Sequence, residues 1–145
     1  MSSTMINYVE CTVNHIAIIM DGNRRWSKCK NVDPIIGYNQ GKRVLLDTIE
    51  ECIAQKINYL TVYAFSNENW KRSPIEIRNI FEVKQSFLDE QEQYFMEKNI
   101  KVKGVGRKND YRIPQTFTKS LLEIEEKTKE NTGITLTICA NYGGK

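Results

Sequence analysis

One short segment decides the fold class of this 145-residue chain: His15-Ile-Ala-Ile-Ile-Met20. The segment is a continuous apolar run rich in β-branched residues, which is typical of a strand buried on both faces of a parallel sheet. It ends in Asp21-Gly-Asn, a turn signal. The sequence therefore predicts a buried strand that leads directly into a polar loop.

Beyond this segment, helical and strand patterns alternate. Apolar residues at intervals of three and four predict helices, and Ser73-Pro74 with Glu76 is the signature of a helix start. The expected helices cover 38–56, 74–98 and 114–130, and the further strands cover 60–65, 100–105 and 134–140. This alternation predicts an α/β fold with helices on both faces of a parallel sheet. We expect residues 1–13 to be a lead-in and 14–145 to form one domain.

The composition is that of an ordinary folded domain, with 40% apolar and 27% charged residues. No apolar run approaches the roughly 20 residues that span a bilayer, and residues 1–13 do not resemble a signal peptide. The four cysteines form no C-x-x-C pair and there is one histidine, which argues against a zinc site. We expect a reducing compartment, with Cys52 and Cys139 as small core residues.

The net charge of +3 is too small to indicate nucleic-acid binding, but it is unevenly distributed. Residues 1–43 contain six Lys/Arg and three Asp/Glu, whereas the remaining residues contain fifteen of each. The excess lies around Arg24 to Arg43. Two interpretations stay open, a solvated basic surface and an anion-binding site.

Ligands of parallel α/β sheets bind at the carboxyl ends of the strands, which directs attention first to the loop 21–26. Gly22 permits close backbone approach, and the side chains that follow can donate hydrogen bonds to phosphate: Asn23, Arg24 and Arg25. Asp21 would repel phosphate unless a divalent cation such as Mg²⁺ lies between them. It could equally cap a turn.

The loop 66–72 follows the second strand and is also polar. Ser66 and Asn69 are short hydrogen-bonding residues, Trp70 is a large apolar wall, and Arg72 is a further phosphate donor. Alternatively, Ser66 and Asn69 satisfy only backbone groups of the loop. Gly104-Val-Gly106 lacks the third glycine and the later acidic residue of a dinucleotide-binding motif, which makes it a weak signal. His15 is expected to tether the strand entrance.

Three segments carry a resemblance to a known family: 15–26, 60–72 and Asn131-Thr-Gly-Ile-Thr-Leu-Thr-Ile-Cys-Ala-Asn-Tyr-Gly-Gly144. In order and spacing they resemble the cis-prenyltransferases, which include the undecaprenyl and dehydrodolichyl diphosphate synthases. The resemblance extends from His15 to Lys145. It implies a transferase that condenses isopentenyl diphosphate with an allylic prenyl diphosphate such as farnesyl diphosphate.

The resemblance also implies roles for individual residues. Asp21 would hold Mg²⁺, and Ser66 and Asn69 would assist proton removal and phosphate orientation, so that these three are the catalytic candidates. The implied substrate-binding residues are Gly22, Asn23, Arg24, Arg25, Trp26, Tyr38, Trp70 and Arg72. The helix from Pro74 would wall an apolar tunnel, with Phe81, Phe87 and Leu88 either lining it or packing in the core.

Family membership would further imply a homodimer or a heteromer with a related subunit. It would imply a cytoplasmic protein, with peripheral contact at the cytosolic face of the endoplasmic reticulum membrane as one option. Nucleic acid is not an expected partner, and general phosphate or RNA binding through 24–43 is the least favoured alternative.

The sequence departs from the family pattern at two places. Where the family has Arg-x-x-Gly-His, this chain has Pro34-Ile-Ile-Gly-Tyr38, and Tyr38 can donate a hydrogen bond but is a poor proton shuttle near pH 7. After Asn141-Tyr-Gly-Gly-Lys145 the family continues with Arg-Thr-Gly-Gly-Glu and Arg-x-Ser segments. We therefore expect a C-terminally truncated version of the fold with an exposed edge or face at the fourth strand. We also expect little or no activity from these residues alone, with a non-catalytic diphosphate-binding relative or partner subunit as the alternative.

Overall fold

The structure, a computed structural model, describes residues 13–19, 27–66, 70–106 and 112–142. In chain order its elements are β1 His15–Ile19, α1 Pro34–Ala54, β2 Tyr59–Ser66, α2 Pro74–Glu90, α3 Glu92–Glu97, β3 Lys101–Gly106, α4 Gln115–Thr128 and β4 Thr135–Tyr142. The four strands form one parallel sheet in the order β1-β2-β4-β3. The predicted α/β class and parallel sheet are confirmed.

One face of the sheet carries the hydrophobic core. Two rows of residues cross all four strands in register on this face: Ile16, Leu60, Leu136 and Val102, then Ile18, Val62, Ile138 and Gly104. Each of the helices α1 to α4 contributes buried side chains to the same core. Because strand side chains alternate between faces, these rows and the helices together define a single covered face.

The opposite face of the sheet is open within the described ranges. Its three rows contain both polar and apolar residues. They are His15, Tyr59, Thr135 and Lys101; Ala17, Thr61, Thr137 and Lys103; and Ile19, Tyr63, Cys139 and Val105. Only Thr61 and Cys139 in these rows are buried, and Ile19 is 74% exposed. The sequence predicted helices on both faces, and the described helices cover one.

The strand β1 differs from its prediction. It was expected to be buried on both faces, yet its residues alternate between exposed and half-buried. The reason is its position: β1 is an edge strand that pairs with β2 alone among the described strands. The expected tether is confirmed, because Nε2 of His15 lies 2.7 Å from Oγ1 of Thr61.

The strand β4 is a second correction. It was expected to have an exposed edge or face, but it lies between β2 and β3 and has no free edge, and its residues on the open face are half-buried or buried. Sequence order does not reveal spatial order in a parallel sheet, because the crossover from β2 to β3 leaves room for a later strand.

The helix expected over 74–98 is two helices, α2 and α3, with Gln91 between them. Gln91 has φ −99° and ψ 7°, outside helical geometry, although its N–H still donates to the Phe87 carbonyl. The rings of Phe87 and Phe95 meet edge to face across the break at 5.9 Å. The predicted start is confirmed, because the Ser73 hydroxyl accepts the Glu76 N–H at 3.2 Å.

The first helix starts at Pro34, four residues before the predicted start, so Pro34 and Tyr38 both belong to α1. A proline is well tolerated in the first turn of a helix, because it removes an N–H that has no partner there. The remaining element boundaries lie within about two residues of prediction. None of the helices in the described ranges is long and apolar enough to cross a membrane.

Candidate functional site

The carboxyl ends of the strands meet at one edge of the sheet, where both loops singled out from the sequence begin. Ser66 ends β2 and is in register with Tyr142 at the end of β4. Asp21 to Trp26 and Asn69 lie outside the described residues. Of the predicted binding residues, the structure describes the side chains of Trp70 and Arg72, which follow β2, while Ser66 and Tyr38 are described by backbone position.

Trp70 is part of a stack of flat groups at this edge. The Arg112 guanidinium lies over the indole at 4.4 Å from the ring centroid, a cation–π contact. On the core side, Trp70 is 5.9 Å from the ring of Phe81, which meets Phe117 edge to face at 5.3 Å. Trp70 therefore packs against the core at α2 and α4 and is covered by a cation, and its role as the apolar wall of a ligand site stays a prediction.

Arg72 is oriented by an ion pair with Glu76. The Nη1 atom of Arg72 donates to Oε2 of Glu76 at 2.7 Å, four residues further along the chain. The Glu76 side chain is only 11% exposed, and its backbone N–H is held by the Ser73 cap. This pair fixes a planar guanidinium of the kind that binds phosphate with two parallel hydrogen bonds.

Lys84 is a further cationic residue in the described part of the chain. It lies on α2, is half-buried, and among the described residues has no ion pair or hydrogen bond. Burial, together with the nearby Arg72 charge, lowers the pKa of Lys84 from 10.5 to about 8. Two described cations, Arg72 and Arg112, thus accompany Trp70 at this edge, and Arg72 is paired with Glu76.

Phe81, Phe87 and Leu88 belong to the core in this structure. They are 2%, 5% and 2% exposed and pack within the main hydrophobic cluster. Of the two interpretations left open, core packing describes them here. Cys52 and Cys139 are also buried, as expected, and burial raises the pKa of each thiol.

Part of the third family-like segment lies at the other end of the sheet, where β3 and β4 begin. The Asn131 amide donates to the Ile100 carbonyl at 2.7 Å, and the Thr132 N–H donates to Oδ1 of Asn99 at 3.0 Å. A Cβ on Gly133 would lie 2.5 Å from the Asn99 carbonyl oxygen. These residues clamp two turns together and have a structural role.

Sequence reasoning missed three features of the site and of the helix α2 that follows it. The Arg72–Glu76 pair has the i, i+4 spacing of helical ion pairs and was recognisable from it. Lys84 interrupts an apolar stripe on α2, which was also a readable signal. Arg112 had no such signal, because only the tertiary fold brings the segment before α4 against Trp70.

The metal expectation concerns Asp21, which is not among the described residues. Within the ranges that are described, no group of three His, Cys, Asp or Glu side chains could hold a metal ion. Arg72 and Arg112 are groups that suit an anion. The described part of the site therefore supplies hydrogen-bond donors for an anion, and the metal role of Asp21 stays a prediction.

Comparison with known proteins gives the family. The model of a family described as "Putative undecaprenyl diphosphate synthase" matches residues 19–145. The chain belongs to this family. An isoprenyl transferase 2 of Corynebacterium efficiens is 41% identical over 131 residues, covering 90% of this chain and 53% of that protein. A di-trans,poly-cis-undecaprenyl-diphosphate synthase of Giardia intestinalis is 40% identical over 130 residues, covering 90% and 49%.

Solved structures agree with this family assignment. Lavandulyl diphosphate synthase from Lavandula x intermedia, crystallised with dimethylallyl diphosphate, superposes with a TM-score of 0.86 at 27% identity, covering 92% of this chain and 56% of that one. A probable undecaprenyl diphosphate synthase from Campylobacter jejuni gives 0.68 at 30% identity, covering 90% and 55%. This undecaprenyl diphosphate synthase-like chain spans about half the length of the curated relatives it matches.

Proposed function

We propose that this chain is the diphosphate-binding part of a cis-prenyltransferase, a transferase that condenses isopentenyl diphosphate with an allylic prenyl diphosphate such as farnesyl diphosphate. The observation that carries the proposal is the match of 90% of the chain to isoprenyl transferases at about 40% identity. The fixed guanidinium of Arg72 and the Arg112–Trp70 stack at the ligand-binding edge of the sheet support it.

In this proposal the first loop binds the allylic diphosphate. Asp21 holds Mg²⁺, and the donors that face the phosphates are the backbone at Gly22 and the side chains of Asn23, Arg24 and Arg25. When bound, the metal neutralises the charge that develops on the departing diphosphate. Trp26 flanks this loop.

The second loop binds and orients the reacting groups. Ser66 and Asn69 assist proton removal and phosphate orientation, while Arg72, held by Glu76, donates hydrogen bonds to phosphate oxygens. Trp70 closes the pocket on its apolar side, where it excludes water from the cationic carbon left by ionisation of the allylic C–O bond. Tyr38, on α1, donates one further hydrogen bond.

The binding part of this proposal is tested by calorimetry with farnesyl diphosphate in the presence and absence of Mg²⁺. Asp21→Asn removes the metal ligand, and Asp47→Asn makes the same chemical change on the exposed side of α1. We expect Mg²⁺-dependent binding in the wild type and in Asp47→Asn, and a loss of the Mg²⁺ dependence in Asp21→Asn. Equal binding with and without Mg²⁺ in all three proteins would contradict the metal role.

Turnover is tested separately, by incorporation of radiolabelled isopentenyl diphosphate onto farnesyl diphosphate with Mg²⁺. A non-catalytic relative or partner subunit is the second candidate function, and Pro34 and Tyr38 favour it because they replace family residues that contact phosphate. We expect these 145 residues to bind without appreciable chain elongation. Robust elongation would reject the non-catalytic alternative. Association as a homodimer or with a related subunit is part of the proposal and is measured by light scattering.

A further inference from the structure

The contact between Arg112 and Trp70 joins two connections that the sheet keeps apart. Trp70 lies between β2 and α2, whereas Arg112 lies between β3 and α4. Because β4 lies between β2 and β3, the two connections leave the carboxyl edge of the sheet roughly 10 Å apart. The Arg112 guanidinium is 4.4 Å from the centroid of the indole. The two connections therefore meet across the end of β4.

Trp70 also packs against aromatic side chains of the core. Its ring lies 5.9 Å from that of Phe81 on α2, and Phe81 meets Phe117 of α4 edge to face. Both phenylalanines are at most 2% exposed, so they form a fixed base for the indole. The half-buried indole is thus in contact with this base and with the Arg112 guanidinium.

The backbone that carries Arg112 is anchored as well. The next residue, Ile113, is 4% exposed and belongs to the hydrophobic core. The Pro114 carbonyl then accepts the Phe117 N–H at 3.1 Å at the start of α4. Arg112 itself is exposed, so its side chain can be replaced without opening the core. Its contact with Trp70 starts from a fixed point of the backbone.

Trp70 and Arg72 belong to one short connection that is held at both ends. At its far end, Arg72 is paired with Glu76 at 2.7 Å, and the Ser73 hydroxyl caps α2. At its near end, the contact with Arg112 holds Trp70. A donor that is already fixed loses less conformational entropy on binding than a mobile one. Arg112 is therefore placed to affect ligand binding at Arg72 without contacting the ligand.

We propose that Arg112 is a positioning residue for diphosphate binding. By lying over Trp70 it holds the connection after β2 in the conformation in which Arg72 donates to the ligand. The inference rests on the proposed function and extends it to a residue outside the three segments that resemble the family. Because Arg112 acts through Trp70, the effects of replacing the two residues should not be additive.

The test is calorimetric titration with farnesyl diphosphate in Mg²⁺ of the wild type, Arg112→Met, Trp70→Leu and the double variant. Methionine keeps much of the length of arginine and removes the planar cation. We expect Arg112→Met to bind about 3- to 10-fold more weakly, the effect of losing one cation–π contact. In the Trp70→Leu background the same change should alter the affinity by less than about twofold, because the partner of Arg112 is gone.

Arg78→Met is the matched control for charge. It removes one positive charge from an exposed position on α2, and it should stay within about twofold of the wild type. Urea denaturation of all the variants provides the control for folding. Arg112→Met should leave the midpoint nearly unchanged, since the side chain is exposed, so that weaker binding is not a consequence of unfolding.

The outcomes separate this inference from the proposed function. If Arg112→Met weakens binding equally with and without Trp70, Arg112 attracts or contacts the phosphates directly, and the positioning role is rejected. Unchanged affinity in Arg112→Met would also overturn the inference. In both cases the proposed function stands. If the wild type does not bind farnesyl diphosphate, both proposals fail.

The contact itself can be measured without a ligand. The chain contains two tryptophans, and the loss of one indole N–H signal in the NMR spectrum of Trp70→Leu identifies the signal of Trp70. Arg112→Met should shift this signal, because it removes a charge that lies over the ring, whereas Arg78→Met should leave it in place. No shift in Arg112→Met would show that the contact does not form in solution and would overturn the inference.

Discussion

The two faces of the sheet are built by the same four strands, yet they differ in composition and in what covers them. On the covered face every row is apolar, and Leu60 and Leu136 have no exposed surface. On the open face threonine, tyrosine and lysine alternate with exposed apolar residues such as Ile19 and Val105. Parallel sheets are usually covered on both faces. The stability of this domain should therefore depend almost entirely on one face.

The largest effect is expected from Leu136→Ala at the centre of the covered face. Removing a fully buried leucine side chain should lower the free energy of unfolding by about 3 kcal/mol, through lost burial and the cavity that remains. Thr137→Ala, one residue further along β4 and on the open face, is the control and should change it by less than about 0.5 kcal/mol. Urea denaturation measures both, and comparable losses would show that the two faces contribute equally.

A smaller effect is expected from Gly104→Ala in β3, where the strand meets α4. A Cβ at this position would lie 2.5 Å from Cδ2 of Leu121, a buried side chain with little room to move. Overpacking of this kind should destabilise the protein by roughly 1–3 kcal/mol. Combining Gly104→Ala with Leu121→Val should recover part of the loss, because the two changes share one contact. If the losses in free energy of unfolding of the two single variants simply added in the double variant, the contact between position 104 and Leu121 would be contradicted.

Lys84 is the exception on the covered side, and its effect should depend on pH. Its folded pKa of about 8 is below the unfolded value of 10.5, so the unfolded chain binds more protons between these pH values and stability rises with pH there. Lys84→Met should be more stable than the wild type by roughly 1–2 kcal/mol at pH 7, with a gap that narrows as pH rises from 8 to 10.5. Burial also raises the pKa of the Cys52 and Cys139 thiols, but both thiols are present in both proteins and do not change the difference in stability between them.

Urea denaturation of both proteins at pH 7, 8, 9 and 10 checks this prediction. A gap that does not change with pH would mean that Lys84 titrates normally in the folded protein. If Lys84→Met proved less stable at pH 7, the lysine side chain would stabilise the folded protein despite its burial.

The smallest effect is expected on the open face. Ile19→Thr replaces a side chain that is 74% exposed at the end of an edge strand, so the free energy of unfolding should change by less than about 0.5 kcal/mol. Exposed apolar edge strands promote association, so the same change should reduce aggregation, as measured by light scattering. A loss of stability above 1 kcal/mol would show that this face is covered in the folded protein.

Several local features could be read from the sequence because their causes are local. The apolar periodicity of α1 and α4, the Ser73 cap and the β-branched strands depend on residues a few positions apart. The location of the candidate site also followed, because parallel strands always end at one edge. Lys84 was visible as a polar residue in an apolar stripe but was not singled out.

What the sequence by itself determined is the alternation of strands and helices, the parallel sheet and the family motifs at its carboxyl edge. Only the tertiary structure decided that, among the described strands, β1 lies at the edge and β4 in the interior, and that the described helices leave one sheet face uncovered. It also decided that Arg112 lies over Trp70 and that the Lys84 side chain is half-buried. The physical reason is range: periodicity and capping act over one or two turns, whereas strand order and charge proximity arise from packing between distant segments.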